Sequence, residues 1–458
     1  MSNLGYHYIY RKLRELGVAV ERFFSSPIPH RSVERDTLLE RFPVILASVS
    51  YEGDIPQLSG WLASGRINPS RRERDQDGGV VVGAGGAMTY INPLALSGIC
   101  DFIVLGDGLP VIGYIADILR TSTTRDELLG RLAEHPSILV PGVHMVGTGS
   151  VALDVSKRLD ISEDYGFGLW VTERTVFGST LLIELQRGCA RSCCYCTLPR
   201  CFSPLRQRGV ELIKGDIERA MSVCDFDQVG LVTPEAGDYK GLDDLLGFIE
   251  RSGKCVSFAS LRVDGLTEGT MSVLSSGGRH SITIAPESGD DSLRALCGKK
   301  FTNDLIVEKL KMARSHGITD VKLYFMIGLP GENDESVESI TELCGRIRSE
   351  TGQRLTAAAS PFVPKPGTKW AGVPFAGEKE LRRRHALLAR AFNGMSGVTL
   401  QSASVREACL EYAMAWADRS ASERFIGGVP RKGIADGVDR TAAIEELESL
   451  GLNRPCLV

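Results

Sequence analysis

Residues 181–196 read LLIELQRGCARSCCYC. An apolar run of strand length breaks at a glycine, and five cysteines follow between Cys189 and Cys201. Moving outward from this stretch, the same rhythm recurs. Short apolar runs at 181–186, 229–233, 256–260, 282–285, 321–327 and 356–362 are separated by segments long enough for a helix. Strands alternating with helices predict a parallel sheet. Six such strands with right-handed crossovers predict an open, partial (β/α)6 barrel over residues 179–372, with its chemistry at the C-terminal strand ends.

Upstream, residues 1–122 repeat the alternation. Tyr6, Ile9, Tyr10, Leu13 and Leu16 fall on one helix face, and Gly17 stops that helix. Strands are predicted at 18–24, 44–48, 79–83 and 102–105, with a helix carrying Ile55, Leu58 and Leu62 and another over 110–120. The pattern is α/β, a Rossmann-like (flavodoxin-like) domain. Such a domain normally opens with a strand, whereas this sequence opens on Asn3-Leu4-Gly5 and a helix. An unusual start and a missing strand both fit. Residues 123–178 read as a linker, and 373–458 as a small helical C-terminal domain with helices over 379–392, 404–417 and 441–450.

Of 458 residues, 43% are hydrophobic and 24% charged, so two or three domains with real cores are expected. No apolar run reaches membrane-spanning length and the N-terminus lacks a secretory pattern, which predicts a cytoplasmic protein with no membrane partner. A net charge of -4 with intermixed signs disfavours a nucleic-acid partner. Five of the twelve cysteines cluster between Cys189 and Cys201, not spread in disulfide-like pairs, which favours a metal site. The seven scattered ones, Cys100, Cys224, Cys255, Cys297, Cys344, Cys409 and Cys456, are expected to be small buried residues.

Cys189, Cys193 and Cys196 have C-x3-C-x2-C spacing. Thiolates ligate iron–sulfur clusters, and three on one loop hold three irons of a cubane while the fourth stays open. A closed electron-transfer cluster or a structural zinc site uses four protein ligands. A zinc site recruiting Cys194 or Cys201 is the competing use. Both are read as non-ligands, because neighbours of Cys193 and Cys196 do not all face one metal.

The loop, with Tyr195 just before the third cysteine, resembles the signature of the radical S-adenosylmethionine (SAM) superfamily. The resemblance covers about residues 179–372. It implies a [4Fe–4S] cluster on Cys189, Cys193 and Cys196, and S-adenosylmethionine chelated to the open iron. It also implies an external electron donor and reductive cleavage to methionine and a 5′-deoxyadenosyl radical. Thr233-Pro234-Glu235 stands where the family has a Gly-Gly-Glu-like stretch, a departure that leaves Glu235 a doubtful contact for the methionine amino group. Ser260 and Arg262 resemble the ribose and carboxylate contacts, a hydroxyl and a guanidinium fork. Glu287 stands in a Glu-Ser-Gly element facing the cofactor. Ile327 and Gly328 resemble the adenine-contacting strand, and residues 362–368 the last strand and its exit loop.

The N-terminal domain resembles the cobalamin-binding domain found ahead of many such enzymes, on its VVVGAGG and DFIVLGDG strand-loops. Gly85, Gly86 and Gly106 are the implied cobalamin contacts. No Asp-x-His-x-x-Gly pattern supplies a cobalt ligand; the corresponding loop is 48–54, so Tyr51 or no residue meets the lower face. The whole layout is similar to cobalamin-dependent radical SAM methyltransferases. It implies methylcobalamin between the domains and C-methylation of an unactivated sp3 carbon. The implied substrate is a protein or peptide, a glutamine residue of methyl-coenzyme M reductase. No acid or base residue is required, consistent with seven unclustered histidines. Two alternatives keep the same barrel. One is a cobalamin-domain enzyme of ring closure or rearrangement. The other is a methylthiotransferase, which would need three further cysteines in a domain that has only Cys100. A redox or cobalamin sensor is the non-enzyme reading.

Overall fold

The computed structural model describes residues 3–452 except 27, 147–152, 159, 163–165, 169 and 427–432. The helix Leu4–Glu15 starts where the Asn3 side chain accepts the Tyr6 N–H, and ends before Gly17, at φ +77°. Strands β1 (Val44–Ser48), β2 (Val81–Gly85) and β3 (Phe102–Val104) pair in parallel, in chain order, and β4 (Ile138–Leu139) adds antiparallel to β3. Helix Asp54–Ser64 turns Ile55 and Leu62 against Val82, Ala84 and Ile103 on one face. Helices Leu4–Glu15, Ile112–Thr121 and Arg125–Ala133 bring Leu13, Ile115 and Leu128 against Val81, Phe102 and Val104 on the other.

Two expectations change here. Residues 18–24 form no strand; Val18 and Val20 pack on the helical layer without joining a ladder. Part of the expected linker, the helix Arg125–Ala133 and β4, belongs to this sheet and its core, with Leu132 and Ile138 fully buried. A three-residue β3 leaves an edge short enough for β4 to cover, a pairing that no local pattern announces.

In the second half, β5 (Thr180–Glu184) is followed by a two-stranded antiparallel ribbon, β6 (Gln186–Arg187) with β7 (Arg206–Gln207). Next come β8 (Gln228–Val232), β9 (Cys255–Phe258), β10 (Ser281–Glu287), β11 (Asp320–Ile327) and β12 (Arg354–Pro361). Strands β5-β8-β9 and β10-β11-β12 run parallel, and a Leu261–Ile284 bridge joins the two groups into one curved wall. All six expected barrel strands are present. A seventh, β13 (Val398–Ser402), pairs parallel with β12, although the tail was expected to be helical. Its signal was there: Val398 and Leu400 face the core while Thr399 and Gln401 stay exposed, a period of two.

β11 shows why the wall curves around an open interior. Val321, Leu323, Phe325 and Ile327 are buried against the outer helices, while Lys322, Tyr324 and Met326 face the lumen and remain partly accessible. The tail adds helices Glu378–Phe392, Val405–Ala415 and Arg440–Ser449. Cys100, Cys297, Cys344 and Cys409 are buried as expected, but Cys224 is exposed and Cys255 half-buried. Cys456 lies outside the described residues. Among the described residues no helix is long and apolar enough to cross a membrane.

Candidate functional site at the cysteine loop

The cysteine loop hangs between β6 and β7, whose register pairs Gln186 with Gln207 and Arg187 with Arg206. Gly188 opens it at φ +89°, where a side chain would strike the Phe202 carbonyl. The Cys194 N–H donates to the Cys297 carbonyl at 3.0 Å, and the Trp370 N–H donates to the Cys194 carbonyl at 3.0 Å. These bonds turn Cys194 into the loop's anchor. Cys201 is buried in the short helix Leu198–Phe202. Cys189 Sγ accepts the Arg191 N–H at 3.4 Å. Burial pushes the Cys189 thiol up and the Cys196 thiol up to about 11, and the neighbouring loop thiols add to both shifts.

Among the described residues no three His, Cys, Asp or Glu side chains close on a single-ion site. A cubane makes a different demand, since its protein ligands bind separate irons. Three partly buried thiols on one loop, with ionisation of Cys189 and Cys196 opposed by burial and by neighbouring thiols, are a donor set that positive iron would relieve. The residues fit the cluster.

Charged side chains from successive strand ends lie around this loop. Tyr195 donates its hydroxyl to Glu287 Oε1 at 2.6 Å, and Lys299 Nζ reaches the same oxygen at 2.5 Å and the Ala285 carbonyl at 2.7 Å. Burial, then the Glu287 charge, holds the Tyr195 phenol far above its ordinary range, so it stays a donor. Glu287 sits at φ +68°, a strained position for a residue with a side chain. After β8, Glu235 is buried, and burial raises its carboxyl even though Oε1 accepts the Gly237 N–H at 3.0 Å. Arg262, after β9, forks Asp264 at 2.9 and 2.8 Å and stands 3.9 Å from Glu235. Ser260 lies half-buried at the exit of β9. The expected contacts Tyr195, Glu235, Arg262 and Glu287 are thus brought to one end of the barrel. Asp264 and Lys299, their partners, carried no sequence signal: each is an ordinary charged residue until the fold buries its neighbour.

Ile327 and Gly328 answer to a different cause. The Ile327 carbonyl accepts the Phe362 N–H at 2.8 Å, and the Gly328 N–H donates to Glu332 at 2.6 Å. Gly328, at φ +86°, would place a side chain 2.8 Å from Leu381 of the tail helix. That glycine admits the helix. Burial pushes the Glu332 carboxyl up to about 7 against the opposing pull of Gly328 and Arg384.

Backbone also passes close to two of the N-terminal glycines. A side chain at Gly86 (φ +122°) would strike the Val49 carbonyl, and one at Gly106 (φ +87°) the Ser156 carbonyl, so passing backbone requires both. Gly85 has room, its nearest neighbour being Val104 at 3.7 Å. The strands follow in chain order, so no reversal of order falls beside this loop. Tyr51 is 50% exposed, and its ring lies over Gly53.

The two sheets nevertheless present their C-terminal ends to each other. Glu52, after β1, is fully buried and binds Lys365, after β12, at 2.8 Å; Lys365 also holds Glu411 at 2.7 Å. Asp107, after β3, lies 3.8 Å from Arg187 and 3.6 Å from Arg206, the pair that flanks the cysteine loop. Sequence reading met several of these residues inside strand-end loops but gave none of them a partner.

Residues 183–344 match the Radical SAM superfamily, and residues 5–141 match the N-terminal region of radical SAM proteins. The barrel therefore carries a radical SAM domain. An uncharacterized protein of Methanocaldococcus jannaschii is 32% identical over 212 residues, 46% of this chain and 47% of that one. The ribosomal protein uS12 methylthiotransferase RimO of Acaryochloris marina is 25% identical over 53% of this chain and 57% of its own. The matches span about half the length of these relatives. Among solved structures, the radical S-adenosylmethionine methyltransferase TsrM from Kitasatospora setae, with cobalamin and a [4Fe–4S] cluster bound, aligns with a TM-score of 0.48 and 15% identity, covering 72% of this chain and 66% of that chain.

Proposed function

We propose that this chain is a cobalamin-dependent radical SAM C-methyltransferase acting on an unactivated carbon of a protein or peptide. The substrate we assign is a glutamine residue of methyl-coenzyme M reductase. One observation carries the reading: buried and half-buried charged side chains at the ends of β8, β9 and β10 gather around a three-cysteine loop whose flanks are tied to the N-terminal sheet. When bound, the cluster supplies one electron to S-adenosylmethionine. Cys189, Cys193 and Cys196 would hold it.

This chain's own residues then bind and orient. Glu235 would accept from an ammonium, and Arg262 would offer a guanidinium to a carboxylate, which requires it to share or leave Asp264. Tyr195 stays protonated and fixed by Glu287, so its ring is held beside the third cysteine. The Glu52–Lys365 and Asp107–Arg187 contacts bring together the strand ends between which cobalamin would bind. No residue needs to move a proton at the reacting carbon.

Sequence likeness to methylthiotransferases favours a second reading. The lone N-terminal cysteine, Cys100, is buried and offers no second three-cysteine site. Reconstituting the protein anaerobically with iron, sulfide, methylcobalamin, S-adenosylmethionine, a reductant and a peptide spanning the glutamine separates the readings by mass spectrometry. Replacement of one hydrogen by methyl is the expected product. A methylthio adduct supports the second reading, and failure to bind any corrinoid overturns the first.

A further inference from the structure

Three side chains pin the cysteine loop to the turn after β8, and they form a continuous network. Gln186, before the loop, donates Nε2 to the Glu235 carbonyl at 2.9 Å. Gln207, after the loop, donates to Gln186 Oε1 at 2.8 Å and to the Asp238 carbonyl at 2.9 Å. Inside the loop, Arg191 forks the Asp238 carboxylate through Nε at 2.9 Å and Nη2 at 2.5 Å. The backbone N–H of that same Arg191 donates to Cys189 Sγ at 3.4 Å.

A bidentate fork fixes direction as well as distance. Holding the Arg191 side chain therefore holds its peptide plane, and with it the hydrogen bond to the first cysteine sulfur. Hydrogen bonds to cluster sulfurs are one of the levers that set reduction potential, because they stabilise the more negative, reduced state. The Arg191 and Asp238 side chains bond each other, while it is the Arg191 backbone N–H that reaches the sulfur.

We infer that Asp238, through its fork with Arg191, is a positioning residue for the iron–sulfur cluster, and that the pair raises the cluster's reduction potential by keeping the Arg191 amide on Cys189. The inference rests on the cluster assignment above.

Three full-length variants separate positioning from charge: Arg191→Gln, Arg191→Lys and Asp238→Asn, each reconstituted anaerobically and titrated potentiometrically with electron paramagnetic resonance as readout. Positioning predicts that all three lower the potential, changing the reduced-to-oxidised ratio at a fixed poise by up to tenfold, about 59 mV for a one-electron couple. Charge alone predicts opposite shifts: down for Arg191→Gln, up for Asp238→Asn, and none for Arg191→Lys. Opposite shifts, or no shift in any variant, overturn the inference. A variant that loses iron while its circular dichroism is unchanged counts as lost positioning. Asp320→Asn, which breaks a surface pair with Arg354 at the far end of β11, must leave the potential unchanged. If the unmodified protein itself holds no cluster, the cluster assignment fails and not the positioning.

Discussion

The N-terminal sheet and the barrel turn their strand ends toward one another, yet those ends are built on different principles. In the N-terminal sheet the conspicuous residues are glycines, and at Gly86 and Gly106 the cause is backbone passing within a side chain's reach. In the barrel the conspicuous residues are charged and buried: Glu235, Glu287 and Lys299, with Arg262 beside them. A glycine beside a strand end can be a packing demand and nothing more. A buried charge is costly unless something pairs with it, so several gathered around one loop mark a site.

The largest effect expected from this contrast is at the cysteines. Replacing Cys189, Cys193 or Cys196 by alanine should cut iron content sharply and 5′-deoxyadenosine formation to background, whereas Cys194→Ala and Cys201→Ala should keep the cluster. Next is the joint between the regions. Lys365→Met leaves Glu52 buried without its cation, and should cost about 3–5 kcal/mol in denaturant unfolding. Adding Glu52→Gln should return most of that loss. Third, Gly86→Ala and Gly106→Ala should each cost about 1–3 kcal/mol with or without corrinoid, while Gly85→Ala should stay within about 0.5 kcal/mol. A Gly85→Ala protein that folds normally but loses corrinoid would break the contrast by giving that loop a ligand role beyond packing.

The smallest effect is a pH slope. Burial raises Glu332 from the ordinary carboxylate range to about 7, so between those values the folded state binds a proton that the unfolded state does not. Stability from this group is present below the unfolded value and is lost as pH rises through about 7. Denaturant midpoints across that range should fall more steeply for the unmodified protein than for Glu332→Gln.

Much of the barrel was legible because its signal is local. Each strand is a short apolar run, and three thiols crowd one loop. Glu235, Arg262 and Glu287 sit at strand exits, which the strand order alone locates, and Tyr195 lies in the cysteine loop itself. What stayed hidden depends on distant partners. β4 joins the N-terminal sheet across two helices, and residues 18–24 look like a strand yet find no ladder. β13 was masked by the helices on either side of it. Sequence does not show Leu381 behind Gly328, so the packing reason for that glycine stayed hidden. Glu52 and Lys365 lie 313 positions apart, so only the fold makes them partners.

The central claim is that the cysteine loop and the charged strand ends form one SAM-binding site. The most direct measurement is the electron paramagnetic resonance spectrum of the reduced, reconstituted protein before and after adding S-adenosylmethionine, for the unmodified chain and for Arg262→Ala. The account predicts a cluster signal that changes shape on addition, with a much higher S-adenosylmethionine concentration needed in Arg262→Ala. A cluster whose spectrum ignores S-adenosylmethionine, or an Arg262→Ala variant that responds at the same concentration, would contradict it.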